Sequence, residues 1–229
     1  MKKKQIYKKL QKKNFFPSHV AEVGVFHPEK SNIYDYIKEG VRATLVEPDP
    51  ESIRKIKEHF SDCNNLTLHP VAIFDYQGEL TLIKNKASSY VKNISKSPAV
   101  INDNYKISAE DELIVKCTTF DQVDDGSIDL LSIDVEGSEW FVIQSMVSRP
   151  KVISLETHGS AYVNPYIDKI LGWMKSNEYK LWYKTKADSI YVKENSIPIS
   201  MIDSINLTGL NTYIFVKKLK QNLKKSVGL

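Results

Sequence analysis

Cysteine and glycine are both scarce in this 229-residue sequence, with two and nine residues respectively. Cys63 and Cys117 lie far apart and form no Cys-x-x-Cys pair, which excludes a disulfide framework and a zinc signature and leaves free thiols as the expectation. No apolar run approaches the roughly 18 residues of a membrane span. The lysine-rich start is followed by no apolar h-region and no small-residue cleavage site, so a cytoplasmic location is expected. Internal repeats and low-complexity linkers are missing too, and one continuous domain is the simplest organisation at this length.

Charge is present but unevenly spread. Residues 1–21 hold seven lysines and no acid, and residues 204–229 hold five lysines and no acid, so basic ends flank an acidic body. Residues 1–18 are expected as a basic helix or tail that docks one apolar edge through Ile6, Tyr7 and Leu10, and residues 218–229 as a basic tail. The folded domain is expected over 19–217. Such ends allow weak contact with an anionic membrane surface, while the acidic body argues against nucleic acid as a partner.

The body alternates short β-rich runs with amphipathic segments. Strands are expected at 19–25, 43–47, 66–73, 79–83, 113–118, 128–134, 152–156, 180–183, 189–192 and 212–216. Helices are expected at 29–39, 51–60, 138–147 and 165–176. Residues 84–112 are polar and without clear period, the signature of a lid or variable insertion. The alternation predicts an α/β fold whose mainly parallel sheet is covered by helices on both faces. In such a sheet the ligand sits beyond the C-terminal ends of the strands, where strand order reverses. The aromatic-rich last third, with Trp182, Tyr183, Tyr162, Tyr166 and Tyr191, offers rings that could stack on sugars, although core packing is the commoner fate.

Two features at those ends narrow the ligand. Glu47 stands 23 residues after Gly24, an offset at which an acid accepts hydrogen bonds from a ribose diol. The first turn, Gly24-Val25-Phe26-His27-Pro28, lacks the later glycines that let backbone approach a pyrophosphate, so a dinucleotide is disfavoured.

The run Ile128-Asp129-Leu130-Leu131-Ser132-Ile133-Asp134-Val135-Glu136-Gly137-Ser138-Glu139, followed by Leu155-Glu156-Thr157-His158-Gly159, closely resembles the FkbM family of methyltransferases. Leu45-Val46-Glu47-Pro48-Asp49, His69-Pro70-Val71-Ala72 and Thr118-Thr119-Phe120-Asp121 extend the likeness across about residues 20–192. The resemblance implies a class I, Rossmann-like methyltransferase fold with a seven-stranded twisted sheet and an antiparallel C-terminal strand. It also implies S-adenosylmethionine as cofactor and O-methylation of a sugar, polysaccharide or related small molecule. Family members usually read Asp-x-Gly-x-Asn-x-Gly in the first turn, whereas this chain has Glu22-Val23-Gly24-Val25-Phe26-His27-Pro28; Ser31 or Asn32 would supply polar contacts instead.

The cofactor is accordingly expected against Glu22, Gly24, Phe26, His27 and Asn32 in the first turn, Glu47 and Asp49 after the second strand, Ala72 after the third, and Asp134 and Glu136 in the Asp-Val-Glu-Gly turn. Methyl transfer to a hydroxyl needs positioning and a proton acceptor. Three strand-end residues are candidates for it: His158, the preferred base because imidazole titrates near neutrality, Asp134 as an acceptor at the end of the fourth strand, and Glu156, which would orient His158 or take the proton itself. No metal is expected; were a divalent ion used, Asp134, Glu156 and His158 would be its ligands. The partner is a glycan or small-molecule acceptor. Rival readings are an RNA or protein methyltransferase and a non-catalytic module that only binds S-adenosylmethionine.

Overall fold

The computed structural model describes residues 3–85, 88–92, 111–158, 163–200 and 203. In chain order the helices are α1 (Gln5–Lys12), α2 (Tyr34–Lys38), α3 (Pro50–His59), α4 (Glu139–Gln144) and α5 (Ile167–Ser176). The strands are β1 (His19–Val23), β2 (Arg42–Val46), β3 (Leu66–His69), β4 (Ala72–Ile73), β5 (Gly78–Asn85), β6 (Ser88–Val91), β7 (Glu112–Thr118), β8 (Leu130–Ile133), β9 (Val152–Glu156), β10 (Tyr179–Lys184) and β11 (Asp188–Lys193). Seven of these form one sheet in the order β10-β11-β9-β8-β1-β2-β3. Strands β3, β2, β1, β8 and β9 run parallel, and β11 is antiparallel to both β9 and β10. This is the expected α/β architecture of the class I methyltransferases.

The central strands are apolar on consecutive residues because each feeds two cores. Val20, Leu45, Leu130, Val152 and Ile190 point to the side of α1, α2 and α3, joining Leu10, Ile37 and Ile56. Their neighbours Ala21, Val46, Leu131, Ile153 and Tyr191 point to the side of α4 and α5, joining Val142, Ile143, Ile170 and Met174. Each such fully buried aliphatic side chain contributes about 1.5–3 kcal/mol relative to leaving it in water. The basic N-terminal segment is docked rather than loose. Ile6, Tyr7 and Leu10 are buried, the Lys4 N–H donates to Asp35, and Lys3 and the Tyr7 hydroxyl both bond Glu39 at the end of α2.

Three expectations need correction. The strand expected at 66–73 breaks at Pro70, which has no N–H to continue the ladder, so Leu66–His69 stays in the main sheet and Ala72–Ile73 leaves it. The helix expected at 29–39 is interrupted by Ser31 and Asn32, because the Ser31 hydroxyl and the Asn32 N–H are claimed by the Glu22 carboxylate. A second sheet, β4-β7-β5-β6, stands where a lid was expected to begin: Lys84 belongs to β5, and Ser88–Val91 returns beside it as β6. In β7 only Val115 and Cys117 are buried while Ile114 and Lys116 are exposed, the alternation of a sheet with one wet face. Trp182, Tyr183 and Tyr191 are buried in the two cores, the fate that core packing predicts for such rings. Tyr162, the strand expected at 212–216 and the tail at 218–229 lie outside the described residues. Cys63 and Cys117 are free, and no helix among the described residues is long and apolar enough to cross a membrane.

The chain order sends β2 and β3 to one side of β1 and brings β8 back on the other, so strand order reverses between β1 and β8. Gly24, at the end of β1, has a φ of +87° there, and a Cβ on it would lie 1.9 Å from the Asp134 carbonyl oxygen. By contrast Gly40, with a φ of +78°, has nothing within 4 Å of such an atom. Gly40→Ala should therefore lose only the left-handed backbone preference, about 1 kcal/mol. Gly24→Ala must also push two strand ends apart, and thermal denaturation should show at least twice that loss; equal effects would mean the approach is not tight.

Candidate active site

A cavity of about 360 Å³ opens at the C-terminal ends of the parallel strands, within the size range of small-molecule sites. Its walls come from the loops after β1, β2 and β8, from the β10–β11 turn, and from the second sheet. Of the residues expected to hold a cofactor, Glu22, Gly24, Phe26, His27, Asn32, Glu47, Ala72, Asp134 and Glu136 all line it. Asp49 does not. It is the N-cap of α3, accepting from the Ser52 N–H and hydroxyl at 3.3 and 2.9 Å, with Lys84 at 3.2 Å from its other oxygen.

Buried carboxylates organise the rim. Glu22 accepts from the Ser31 hydroxyl and the Asn32 N–H, and Asn32 reaches on to the Ser132 hydroxyl at 3.1 Å. Burial pushes the Glu22 pKa up against these hydrogen bonds. Glu47 accepts from the Val25 N–H at 2.7 Å and the Asp49 N–H at 2.9 Å, one on each oxygen, so each oxygen keeps a lone pair for a ligand. Burial lifts its pKa to about 7, with the two backbone hydrogen bonds opposing. Phe26 and His27 pack edge to face beside it, ring centroids 4.6 Å apart.

At the end of β8 the chain turns through Glu136 (φ +53°) and Gly137 (φ +105°). A left-handed residue other than glycine costs about 1–2 kcal/mol and persists only where its surroundings hold it. Glu139 does the holding: fully buried, it accepts from the Val135 and Gly137 N–H groups at 3.3 and 3.2 Å and from the Asn164 amide. Its burial raises its pKa to about 7. Glu139 escapes sequence reasoning because it reads there as an ordinary first-turn acid of a helix.

This turn aims Asp134 into the cavity, ringed by protein yet open to the void. One oxygen each of Asp134, Glu136 and Glu156 lie within 4.8 Å of one another. Enclosure first, then the Glu136 and Asp188 charges, push the Asp134 pKa well up, and burial followed by the Asp134 charge does the same to Glu156. His158 is not part of this group. It does not line the cavity; its Nδ1 lies 2.8 Å from the Thr157 hydroxyl and its Nε2 3.3 Å from the Thr185 carbonyl oxygen. The oxygen set able to share a divalent ion is thus Asp134, Glu136 and Glu156, with Glu136 in the place expected of His158. Sequence reasoning missed Ala187 and Asp188, where the β10–β11 turn enters β11, and Leu82 of β5, whereas Ser89, Tyr90 and Val91 fall in the 84–112 stretch expected to help form the acceptor pocket. A four-residue strand such as β6 carries almost no period to find.

The donor set fits S-adenosylmethionine. One closely packed glycine and an acid-rich wall suit a cationic sulfonium and would repel a pyrophosphate.

The Glu139 carboxyl is protonated in the folded chain up to about pH 7, whereas in the unfolded chain it ionises from about 4.5. The folded state then binds the extra proton, so its contribution is complete below pH 4.5 and is lost as pH rises through 7. In denaturant titrations the stability advantage of wild type over Glu139→Gln should shrink by about 3 kcal/mol from pH 4.5 to pH 8. A constant difference would mean that Glu139 ionises as it does in the unfolded chain.

Solved structures similar to this chain include a ribosomal protein methylase from Lactobacillus delbrueckii, at 12% identity and TM-score 0.47 over 82% of this chain and 76% of that one. A precorrin-6y methyltransferase from Geobacter metallireducens matches at 13% identity and TM-score 0.41, over 85% of this chain and 87% of its own. An S-adenosylmethionine-dependent methyltransferase from Aquifex aeolicus matches at 9% identity and TM-score 0.42, over 83% and 89%. These likenesses are too loose to carry a residue-level comparison. None of the curated proteins compared with the chain matches it. The model of the methyltransferase FkbM domain matches residues 19–181, from the first residue of β1 into β10. The chain belongs to the FkbM family of S-adenosylmethionine-dependent methyltransferases.

Proposed function

We propose that the protein O-methylates a hydroxyl of a glycan, glycolipid or sugar-like small molecule. The observation that carries this reading is the carboxylate cluster of Asp134, Glu136 and Glu156 at the switch point, next to the glycine turn. Carboxylates accept hydrogen bonds without donating them when ionised, which suits the many hydroxyls of a sugar and disfavours the phosphates of nucleic acid. The FkbM resemblance supports the same acceptor class.

In this reading the Glu47 lone pairs take the ribose diol, and the rim of Glu22, Ser31 and Asn32 faces the methionine end. Asp134, rather than His158, accepts the hydroxyl proton. The acceptor oxygen attacks the methyl carbon as the carbon–sulfur bond breaks, the proton passes to the carboxylate, and neutral S-adenosylhomocysteine leaves. Crowding keeps a proton within the acidic group, while the nearby sulfonium favours the ionised form of Asp134 once the cofactor is bound. A base tuned toward the working pH is what general-base catalysis favours.

Two measurements test the two ends of the cavity. A diol binds the ionised form of Glu47, so with a pKa of about 7 in the free protein, the calorimetric affinity for S-adenosylmethionine should rise about tenfold from pH 6 to pH 8. Glu47→Gln should flatten that dependence, and a pH-independent wild type would remove Glu47 from the ribose. At the acceptor end, a panel of glycosides and oligosaccharides incubated with labelled cofactor should reveal a mass gain of one methyl group. On an acceptor so found, Asp134→Asn should lower kcat by roughly 10²–10⁴ with cofactor affinity within a few-fold, and His158→Gln should stay within about tenfold. Full turnover by Asp134→Asn would refute the base; loss on chelation, restored by magnesium, would transfer its work to an ion on the three carboxylates.

A further inference from the structure

We infer that Lys30, on the loop after β1, binds the methionine carboxylate of S-adenosylmethionine. Five carboxyl side chains line the cavity, those of Glu22, Glu47, Asp134, Glu136 and Asp188, whereas Lys30 is the one lysine or arginine among the described residues that does so. The Lys30 side chain is exposed and makes no hydrogen bond or ion pair among the described residues. S-adenosylmethionine brings two cations, a sulfonium and an ammonium, and one carboxylate. An acidic wall attracts the first two and repels the third. The carboxylate therefore calls for the cation that stands free.

The position of Lys30 selects the methionine end of the ligand. Lys30 closes the short turn Pro28–Lys30 and runs straight into Ser31 and Asn32. Those two residues are held over β1 and β8: the Ser31 hydroxyl and the Asn32 N–H donate to Glu22 on β1, and the Asn32 side-chain amide donates to Ser132 on β8 at 3.1 Å. The ribose acid Glu47 lies on the other side of β1, at the end of β2. Phe26 and Pro28 stand where the family pattern has Asn and Gly, so polar contact with the methionine group comes from elsewhere in this loop. Ser31 and Asn32 are already committed to Glu22 and Ser132, and Lys30 is the next donor along the chain. Its ammonium is a point charge on a flexible four-carbon stem, which meets a carboxylate at the cavity mouth without a change of backbone.

The inference rests on the cofactor orientation proposed above, with the ribose on Glu47, and not on the acceptor, so failure to methylate any glycan leaves it standing. The pH dependence at Glu47 tests that orientation separately. Calorimetry on full-length wild type, Lys30→Met and Lys30→Arg would use three probes. These are S-adenosylmethionine, its decarboxylated form, which keeps both positive charges, and methylthioadenosine, which lacks the amino acid. Lys30→Met keeps an apolar stem and removes the charge. It should weaken S-adenosylmethionine by about five- to tenfold and leave methylthioadenosine unchanged. The decarboxylated form should bind Lys30→Met at least as well as wild type, because a like charge has been removed. Lys30→Arg should keep most of the wild-type affinity for S-adenosylmethionine. Unchanged affinity of Lys30→Met for S-adenosylmethionine would overturn the inference. Equal weakening of all three probes would overturn it as well, by moving the contact to the adenosine.

Discussion

The seating of Gly24 on the Asp134 carbonyl is the contact on which the site depends. It lets β1 and β8 end side by side at the point where strand order reverses, with Gly24 bonded back to Val46 and the Asp134 N–H to Val23. From that junction the loop after β1 and the turn after β8 leave in different directions, and the space between them is the cavity. A side chain at position 24 would drive its Cβ into the Asp134 carbonyl and force the two strand ends apart.

Three buried glutamates then hold the rim, each by a different route. Glu22 ties the loop after β1 to its own strand, Glu47 ties that loop to β2, and Glu139 ties the turn after β8 to the helix it starts. In each case a carboxylate satisfies backbone N–H groups that an irregular loop would otherwise leave unbonded. The rim is therefore shaped before any ligand arrives, at the expense of burying acids whose protonation is raised by their surroundings.

Legibility followed burial on two faces. Val152–Leu155 is buried at every position, with Val152, Ile153 and Leu155 feeding both cores, and the strand occupies Val152–Glu156 as expected. The placement of the Asp-Val-Glu-Gly turn and of Glu47 at the cavity was legible because parallel topology brings the strand ends to one edge. Of the second sheet, β5 and β7 were legible as strands at 79–83 and 113–118, but β4 has two residues and β6 four, too short to carry a period, and β4 pairs with β7, distant in sequence. His158 was singled out on imidazole chemistry alone; the sequence does not show that it stands off the cavity lining, with its ring nitrogens engaged with Thr157 and Thr185. Asp49 misled for the related reason that a strand-end acid before proline serves a helix as readily as a ligand.

A cavity walled by carboxylates treats donor and spent product unequally. In the proposed reading the donor's positive sulfur would face Asp134 and its neighbours, and passing the methyl to the acceptor oxygen, with that oxygen's proton going to the carboxylate, would remove the charge from the ligand. The attraction that would draw the donor in is then weakened by the reaction itself, which favours exchange of the neutral thioether for a fresh, charged donor.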